Sequence, residues 1–157
     1  MFELLPYRKF RDTPSVSFFD ITVAESNARD LVHHDGPAIS PPDSPEGYWQ
    51  FYLHPNQQDN LMAIRGGRTF YLVNLSWNYP FHIVRLDTNG EILRIPEGTF
   101  HRSISDREGS TVLNQAVRHP NASLEHEFRV YNSGNIPALL RTTSKSAPLP
   151  KLHGLRW

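Results

Sequence analysis

The chain has 157 residues, which fits one folded domain with a sizeable hydrophobic core. Its 16 basic and 16 acidic residues cancel without a basic stripe or an acidic tail, which argues against nucleic acid or a membrane surface as the main partner. Cysteine is absent, so disulfides, thiolate metal sites and cysteine nucleophiles are excluded.

The N-terminal part of the chain predicts a strand followed by a connection. Residues 15–23 are rich in β-branched and aromatic side chains with partial alternation, which is typical of a strand. Residues 24–32 have a helix-compatible composition. Residues 35–47 are rich in proline, so they donate few ladder hydrogen bonds and are predicted to connect this region to a barrel.

From residue 48 onward, short apolar segments alternate with turn residues such as Gly66-Gly67 and Asn89-Gly90. The predicted strands are residues 48–54, 60–65, 68–75, 81–87, 91–95, 100–105, 111–118 and 124–131. Short strands at this spacing are typical of a β-sandwich or a β-barrel. We therefore predict an all-β fold.

We expect a single domain over residues 1–157. Its parts are an N-terminal strand with a proline-rich connection (1–46), a barrel core (47–131) and a C-terminal arm (132–157). The chain starts without a signal-peptide pattern, and no apolar run is long enough to cross a bilayer, so we expect a cytoplasmic protein. The expected partner is a small molecule, with no nucleic acid and no membrane.

The strongest local pattern runs from Gly90 to His101. A strand ends in the turn Pro96-Glu97-Gly98, and the next strand begins with Thr99, Phe100 and His101. Pro96 ends ladder donation, and Gly98 can adopt the positive φ of a tight turn. The two-residue alternation of a strand then decides which wall of the barrel His101 faces.

The Gly90–His101 pattern resembles the second conserved motif of the cupin superfamily, in which the final asparagine is replaced here by Ser105. The segment from Gly47 to Gly66 resembles the first motif in part. There His54 and Asp59 take the second-histidine and acidic positions, and Tyr52 stands in place of the first histidine. The resemblance implies a cupin jelly-roll β-barrel, also called a double-stranded β-helix.

Within the superfamily, residues 58–73 and 94–101 look like the core of dTDP-4-dehydrorhamnose 3,5-epimerases and dTDP-sugar ketoisomerases. The resemblance implies that a strand histidine, here His54, removes a proton next to a ketone. Basic residues then stabilise the enolate, and a tyrosine returns the proton. This chain departs from the family at Phe51, which replaces an arginine, and at Asn60, which replaces a lysine. The tyrosine acid is also missing from residues 111–118.

These observations predict an isomerase or epimerase that acts on a carbonyl-containing small molecule, such as a sugar or a sugar nucleotide, without a cofactor. The predicted catalytic residues are His54, His101 and Tyr52. The predicted substrate-binding residues are Gln50, Arg65, Gln115 and Ser103.

Two alternatives stay open. A metal-dependent cupin oxygenase would hold a divalent transition metal such as iron, zinc, nickel or manganese with His54, Asp59 and His101. A third reading is a cupin that binds a small ligand in the same pocket without catalysis.

The strand over residues 48–54 has a polar face and an apolar face, and the apolar face carries Trp49, Phe51 and Leu53. If the polar face lines the barrel, the apolar face must be covered by another sheet or by a second subunit. We therefore predict a homodimer, as in many cupins.

Overall fold

The computed structural model describes residues 1–136 and the backbone of a short strand at Lys151–His153, and it is built almost entirely of β-strands. The strands are β1 (Glu3–Pro6), β2 (Arg8–Asp12), β3 (Ser17–Asp20), β4 (Ala28–His34), β5 (Ile39–Ser40), β6 (Gln50–Leu53), β7 (Gln57–Val73), β8 (Phe81–Leu86), β9 (Glu91–Ile95), β10 (Phe100–Arg118), β11 (Val130–Asn132) and β12 (Lys151–His153). One helical turn, α1 (Leu124–Glu127), and one 3-10 turn, Ser133–Asn135, complete the described structure. No helix among these residues has the length and apolar character needed to cross a membrane.

Among the described residues, ten strands join one sheet around the long antiparallel pair β7 and β10. Strands β8 and β9 pair with β7, and β4, β5 and β6 pair with β10. The sheet continues through β1 on β9, β11 on β6, and β12 parallel to β8. Strands β2 and β3 form a separate hairpin. The predicted all-β fold is confirmed.

The hydrophobic core is formed mainly by side chains of β7, β8 and β9. Its main cluster contains Phe2, Leu61, Ala63, Phe70, Leu72, Val84, Leu86, Leu93, Ile95 and Val112. Each of these side chains removes apolar surface from water, at about 25 cal/mol per Å². The cluster therefore fastens β7, β8, β9 and β10 into the frame that carries the inward-facing polar residues.

Several elements differ from the sequence-based expectations. Residues 24–32 contribute to β4 instead of a helix, because pairing with β10 outweighs a weak local preference. The predicted strand over residues 124–131 divides into α1 and β11. The main sheet also takes β1, β4 and β5 from the region before residue 47, so it extends beyond the expected core of residues 47–131. Of the predicted C-terminal arm, residues 137–150 and 154–157 lie outside the described residues.

The apolar face of β6 is covered largely from within the chain. Phe51 is fully buried in a cluster with Val73 and Ile136. Trp49 meets the ring of Tyr71 edge-on, and the guanidinium of Arg102 lies 4.7 Å from the Trp49 ring centroid. Trp49 is still 39% exposed, and the homodimer stays a prediction.

An irregularity in the β7–β10 ladder reverses which residues point inward. Ser105 pairs with Arg68 and Ser110 pairs with Gly66, so residues 106–109 stand opposite Gly67 alone. A second shift follows, because Ile64 has no partner across from it. In a regular strand, two residues an odd number of positions apart face opposite sides. Ser105 and Ser110 face the same side, because their hydroxyls are 2.7 Å apart. The inward residues of β10 therefore change from odd to even numbers at the irregularity.

The irregularity depends on glycine, which gives a stability prediction. Gly109 has φ +78°, and a Cβ there would overlap the carbonyl oxygen of His34. Gly98 has a similar φ of +71°, but a Cβ there would meet no atom within 4 Å. Gly98→Ala should therefore lower the free energy of unfolding by about 1–2 kcal/mol, the cost of a left-handed residue. Gly109→Ala should lower it by about 1–3 kcal/mol more, because of the added overlap.

Urea unfolding of both variants against the unchanged protein measures the difference. Equal losses would show that the close approach of residues 34 and 109 does not constrain the fold.

Candidate active site

A cavity of about 200 Å³ opens inside the barrel, and its polar lining includes His54, Asp59, Arg68, His101 and Asn114. At roughly 30 Å³ per water molecule, this volume holds about seven waters. It is smaller than the pockets of about 300–1,000 Å³ that enclose drug-sized ligands. The cavity therefore suits a ligand of monosaccharide size, or the reacting part of a larger one.

The structure brings the two predicted histidines together. His54 follows the last residue of β6, and His101 lies near the start of β10, where it pairs with Tyr52. The ring centroids of His54 and His101 are 4.7 Å apart, and both residues are buried. Tyr52 also lines the cavity, with its ring stacked 6.5 Å from that of His54.

The carboxylate of Asp59 connects both imidazoles. Its Oδ1 accepts hydrogen bonds from Gln57 Nε2 at 2.6 Å and from Asn114 Nδ2 at 2.8 Å. Its Oδ2 lies 3.3 Å from His54 Nε2 and 3.8 Å from His101 Nε2. One oxygen is therefore held by two amides, and the other is presented to the two histidines.

Backbone carbonyls determine which nitrogen of each histidine faces the cavity. His54 Nδ1 donates to the carbonyl of Glu127, and His101 Nδ1 donates to the carbonyl of Thr99 at 3.1 Å. A carbonyl oxygen only accepts, so each Nδ1 carries a proton and each neutral ring keeps its lone pair on Nε2. The two Nε2 atoms and the Asp59 carboxylate lie within 4.8 Å of one another. Three electron-pair donors this close favour a cation among them, either a proton or a metal ion.

The charges of this group are strongly coupled. Burial alone would lower the pKa of His54, but the hydrogen bond and negative charge of Asp59 outweigh it and raise that pKa. Burial would raise the pKa of Asp59, yet the hydrogen bond and charge of His54 and the charge of His101 hold it at about 2. Burial and the charge of His54 lower the pKa of His101 to about 4. Without a metal, a proton is therefore favoured on His54, and His101 stays neutral.

Of the four predicted substrate-binding residues, some line the cavity and others do not. Ser103 lines the cavity. Gln50 does not, because its amide donates to Asn132 Oδ1 at 2.8 Å on β11.

Arg65 and Gln115 also lie away from the cavity. Arg65 is exposed and donates to the carbonyl of Glu108 at 3.4 Å, and Gln115 bonds to the backbone of the N-terminal segment. The ladder irregularity is the reason for both corrections. Because it shifts the inward face of β7 and β10, Arg68 and Asn114 point into the cavity instead.

Sequence reasoning missed Glu127 and Phe128. Glu127 is fully buried, and its carboxylate accepts hydrogen bonds at 3.1 Å from both the backbone nitrogen and Nδ2 of Asn56. These bonds fasten α1 to the loop after His54, which brings the Glu127 carbonyl onto His54 Nδ1. The ring of Phe128 then meets His54 edge-on, with the centroids 5.4 Å apart. The only available signal was the acidic pair on α1, inside a segment predicted as strand.

This arrangement gives a stability prediction for α1. Glu127→Ala should lower the free energy of unfolding by about 1–3 kcal/mol, because the donors of Asn56 lose their buried acceptor. Glu125 lies on the same turn but is exposed, so Glu125→Ala should change it by less than about 0.5 kcal/mol. Urea unfolding of both variants measures the effect, and similar values for the two would contradict a fastening role for Glu127.

Comparisons with known proteins give a structural likeness alone. No protein-family model and no curated protein sequence matches the chain. The solved structure of the RmlC epimerase from Mycobacterium tuberculosis matches with a TM-score of 0.62 at 12% identity, covering 96% of this chain and 78% of that one. QdtA, a sugar 3,4-ketoisomerase from Thermoanaerobacterium thermosaccharolyticum solved with TDP, matches with a TM-score of 0.58 at 12% identity, covering 82% and 86%.

A dTDP-4-dehydrorhamnose 3,5-epimerase from Elizabethkingia anophelis matches with a TM-score of 0.60 at 10% identity, covering 80% of this chain and 72% of that one. Identities this low carry the fold and leave the activity open. The predicted architecture is thereby confirmed: the chain has the cupin jelly-roll fold of these sugar-nucleotide epimerases and ketoisomerases.

Proposed function

We propose that this protein is an isomerase or epimerase of a carbonyl-containing small molecule, such as a keto sugar or its nucleotide, with His54 as the base. The observation that carries the proposal is the buried His54–Asp59 pair, whose Nε2 and Oδ2 atoms are 3.3 Å apart beside the cavity. The fold shared with sugar epimerases and ketoisomerases supports the same reaction class.

The base role follows from how His54 is held. Nδ1 is bound to the Glu127 carbonyl, so Nε2 is the atom that accepts a proton from the carbon next to the substrate carbonyl. The reaction uses the neutral ring, at a pH above its raised pKa. The Asp59 carboxylate then stabilises the imidazolium that forms, as a preorganised negative charge in a buried site.

The rest of the reaction needs no oxidant or reductant. Loss of the proton leaves an enolate, and the Tyr52 phenol in the cavity lining donates a hydrogen bond to its oxygen. For a carbonyl shift, Tyr52 gives its proton to the enolate oxygen and takes one from the neighbouring hydroxyl, while the imidazolium protonates the former carbonyl carbon. For epimerisation, Tyr52 protonates the original carbon from the opposite face, and the imidazolium proton then returns to the phenolate through solvent. His101, held neutral and turned by Thr99, orients the substrate.

Solvent exchange tests the proposal. The protein is incubated in D₂O with TDP-4-keto-6-deoxyglucose, D-fructose and D-fructuronate, which are nucleotide-linked, neutral and acidic keto sugars. Deuterium at carbon next to the carbonyl is followed by NMR. We expect exchange into at least one of them, and a fall of about 10²–10⁴-fold in His54→Gln, the usual contribution of a general base.

The matched control is His126→Gln, because His126 is exposed and lies outside the cavity lining. This variant should exchange at the rate of the unchanged protein. Exchange no faster than in His54→Gln for all three compounds would overturn the isomerase and favour a cupin that only binds its ligand.

A metal-dependent oxygenase is the second candidate, because His54, Asp59 and His101 form a two-histidine, one-carboxylate group with both Nδ1 atoms held by carbonyls. This ligand type suits iron and leaves open positions for substrate. A bound metal would use the Nε2 lone pair that the base needs, so the two functions exclude each other.

Metal content separates the two candidates. We expect protein purified without chelator or added metal to hold far less than one transition-metal ion per chain, and EDTA to leave deuterium exchange unchanged. Mass spectrometric metal analysis gives the count for the unchanged protein, for His101→Ala and for the exposed-site control His126→Ala. The oxygenase would be favoured if the unchanged protein and His126→Ala each held one iron, zinc, nickel or manganese ion per chain and His101→Ala held none.

A further inference from the structure

A buried cation lies in the same cavity and has no part in the proposed proton transfer. Arg68 is only 4% exposed, and its side chain lines the cavity. Among the described residues, Arg68 forms no ion pair with a carboxylate, whereas the other buried or half-buried arginines each have one. Burial lowers the pKa of Arg68 to about 10, so the guanidinium stays charged at neutral pH. A buried charge without a counter-ion is costly, which points to an anion that is supplied from outside.

The guanidinium is held in a way that leaves one edge open. Nε donates to Ser110 Oγ at 2.6 Å, and Nη2 donates to the carbonyl of Val32 at 2.8 Å. No described residue accepts a hydrogen bond from Nη1. The edge formed by Nη1 and the second Nη2 proton is therefore available, and this edge matches the two oxygens of a carboxylate.

Among the described residues near Arg68, no second group supplies an unpaired positive charge. His34 contacts Ser105, whose hydroxyl lies 2.7 Å from that of Ser110. Burial and the charge of Arg68 lower the pKa of His34 to about 4, so this imidazole is neutral. The acidic cavity residue Asp30 is paired with Arg118 at 2.7 Å. A single cation balances a carboxylate, whereas a phosphate group of charge near −2 would need a second one.

Arg68 lies at a distance from the histidines that fits one small ligand. It pairs with Ser105 on β10, four residues beyond His101, which is about 13 Å along a strand. The guanidinium contacts Ser110 and Val32, and Arg68 lines the same cavity as the two histidines. A ligand with its carbonyl at His54 and an acid group at Arg68 therefore matches a cavity of about 200 Å³.

We propose that Arg68 forms a carboxylate subsite, and that the substrate is a small keto acid of sugar size, such as a keto uronic acid, instead of a neutral sugar. The substrate class rests on the isomerase function proposed above. The subsite itself is tested by binding, without turnover.

The test compares D-fructuronate with D-fructose, which differ only in a carboxylate against a hydroxymethyl group. Calorimetry in the His54→Gln protein measures binding while preventing reaction. We expect D-fructuronate to bind at least tenfold more tightly than D-fructose, and Arg68→Met in the same background to remove that preference. Arg65→Met is the matched control, because Arg65 is exposed on the same strand and should leave the preference unchanged.

Folding of each variant is checked by circular dichroism. If Arg68→Met does not fold, Arg68→Gln replaces it, since the amide keeps donors for Ser110 and Val32 while the charge is lost. Equal affinity for the two sugars in the His54→Gln protein, binding of neither, or a preference that survives the loss of the Arg68 charge would overturn the subsite. Displacement of D-fructuronate by inorganic phosphate at equal concentration would also overturn it, in favour of a general anion site.

The two proposals fail in different ways. Preferred binding of D-fructuronate without deuterium exchange would remove the isomerase and leave the carboxylate subsite. Exchange into D-fructose as fast as into D-fructuronate would leave the isomerase and remove the subsite.

Discussion

The buried carboxylate of Asp59 is the constraint on which the site depends. An ionised carboxylate in a barrel interior is stable only when its oxygens are hydrogen-bonded and its charge is balanced. Gln57 and Asn114 satisfy one oxygen, and His54 and His101 face the other. Removing any one of these partners would leave a polar atom or a charge unmatched. One residue of β7 thereby determines how β6, β7 and β10 must meet.

Backbone carbonyls orient the two histidine rings as much as side chains do. Carbonyls of Glu127 and Thr99 hold the two Nδ1 atoms, so the Nε2 atoms turn toward Asp59 with no choice of tautomer. The Glu127 carbonyl is itself in place because the Glu127 carboxylate bonds to Asn56 on the loop after β6. A helix of one turn therefore controls the orientation of the His54 ring.

Motif spacing was sufficient to place the centre of the candidate site, because Asp59 and His101 lie on strands, and His54 directly after one, whose alternation is regular near the motifs. The Pro96 to Gly98 turn determines the register that follows it, and His101 comes only three residues later.

Arg68 and Asn114 could not be found in this way. Counting by twos from His101 leads to Gln115, and counting from Asp59 leads to Arg65, because the irregularity that reverses the inward face is a property of the pairing between strands. Glu127 was out of reach for a similar reason, since its role depends on a contact with a residue 71 positions away.

The same irregularity also divides the cavity by charge. At the Asp59 end, a carboxylate and a histidine of raised pKa nearly balance each other. At the Arg68 end, the guanidinium contacts the Ser110 hydroxyl and the Val32 carbonyl, and the imidazole of His34 is neutral. In the proposed complex, the acid group of the ligand therefore lies at the Arg68 end, which orients the ligand before any reaction. In the proposed reaction, removal of a proton by His54 makes the ligand more negative close to Asp59, and the imidazolium formed in the same step stabilises the new charge. In this proposal, binding and chemistry use different ends of one small cavity, and the fixed charges of the barrel direct the ligand between them.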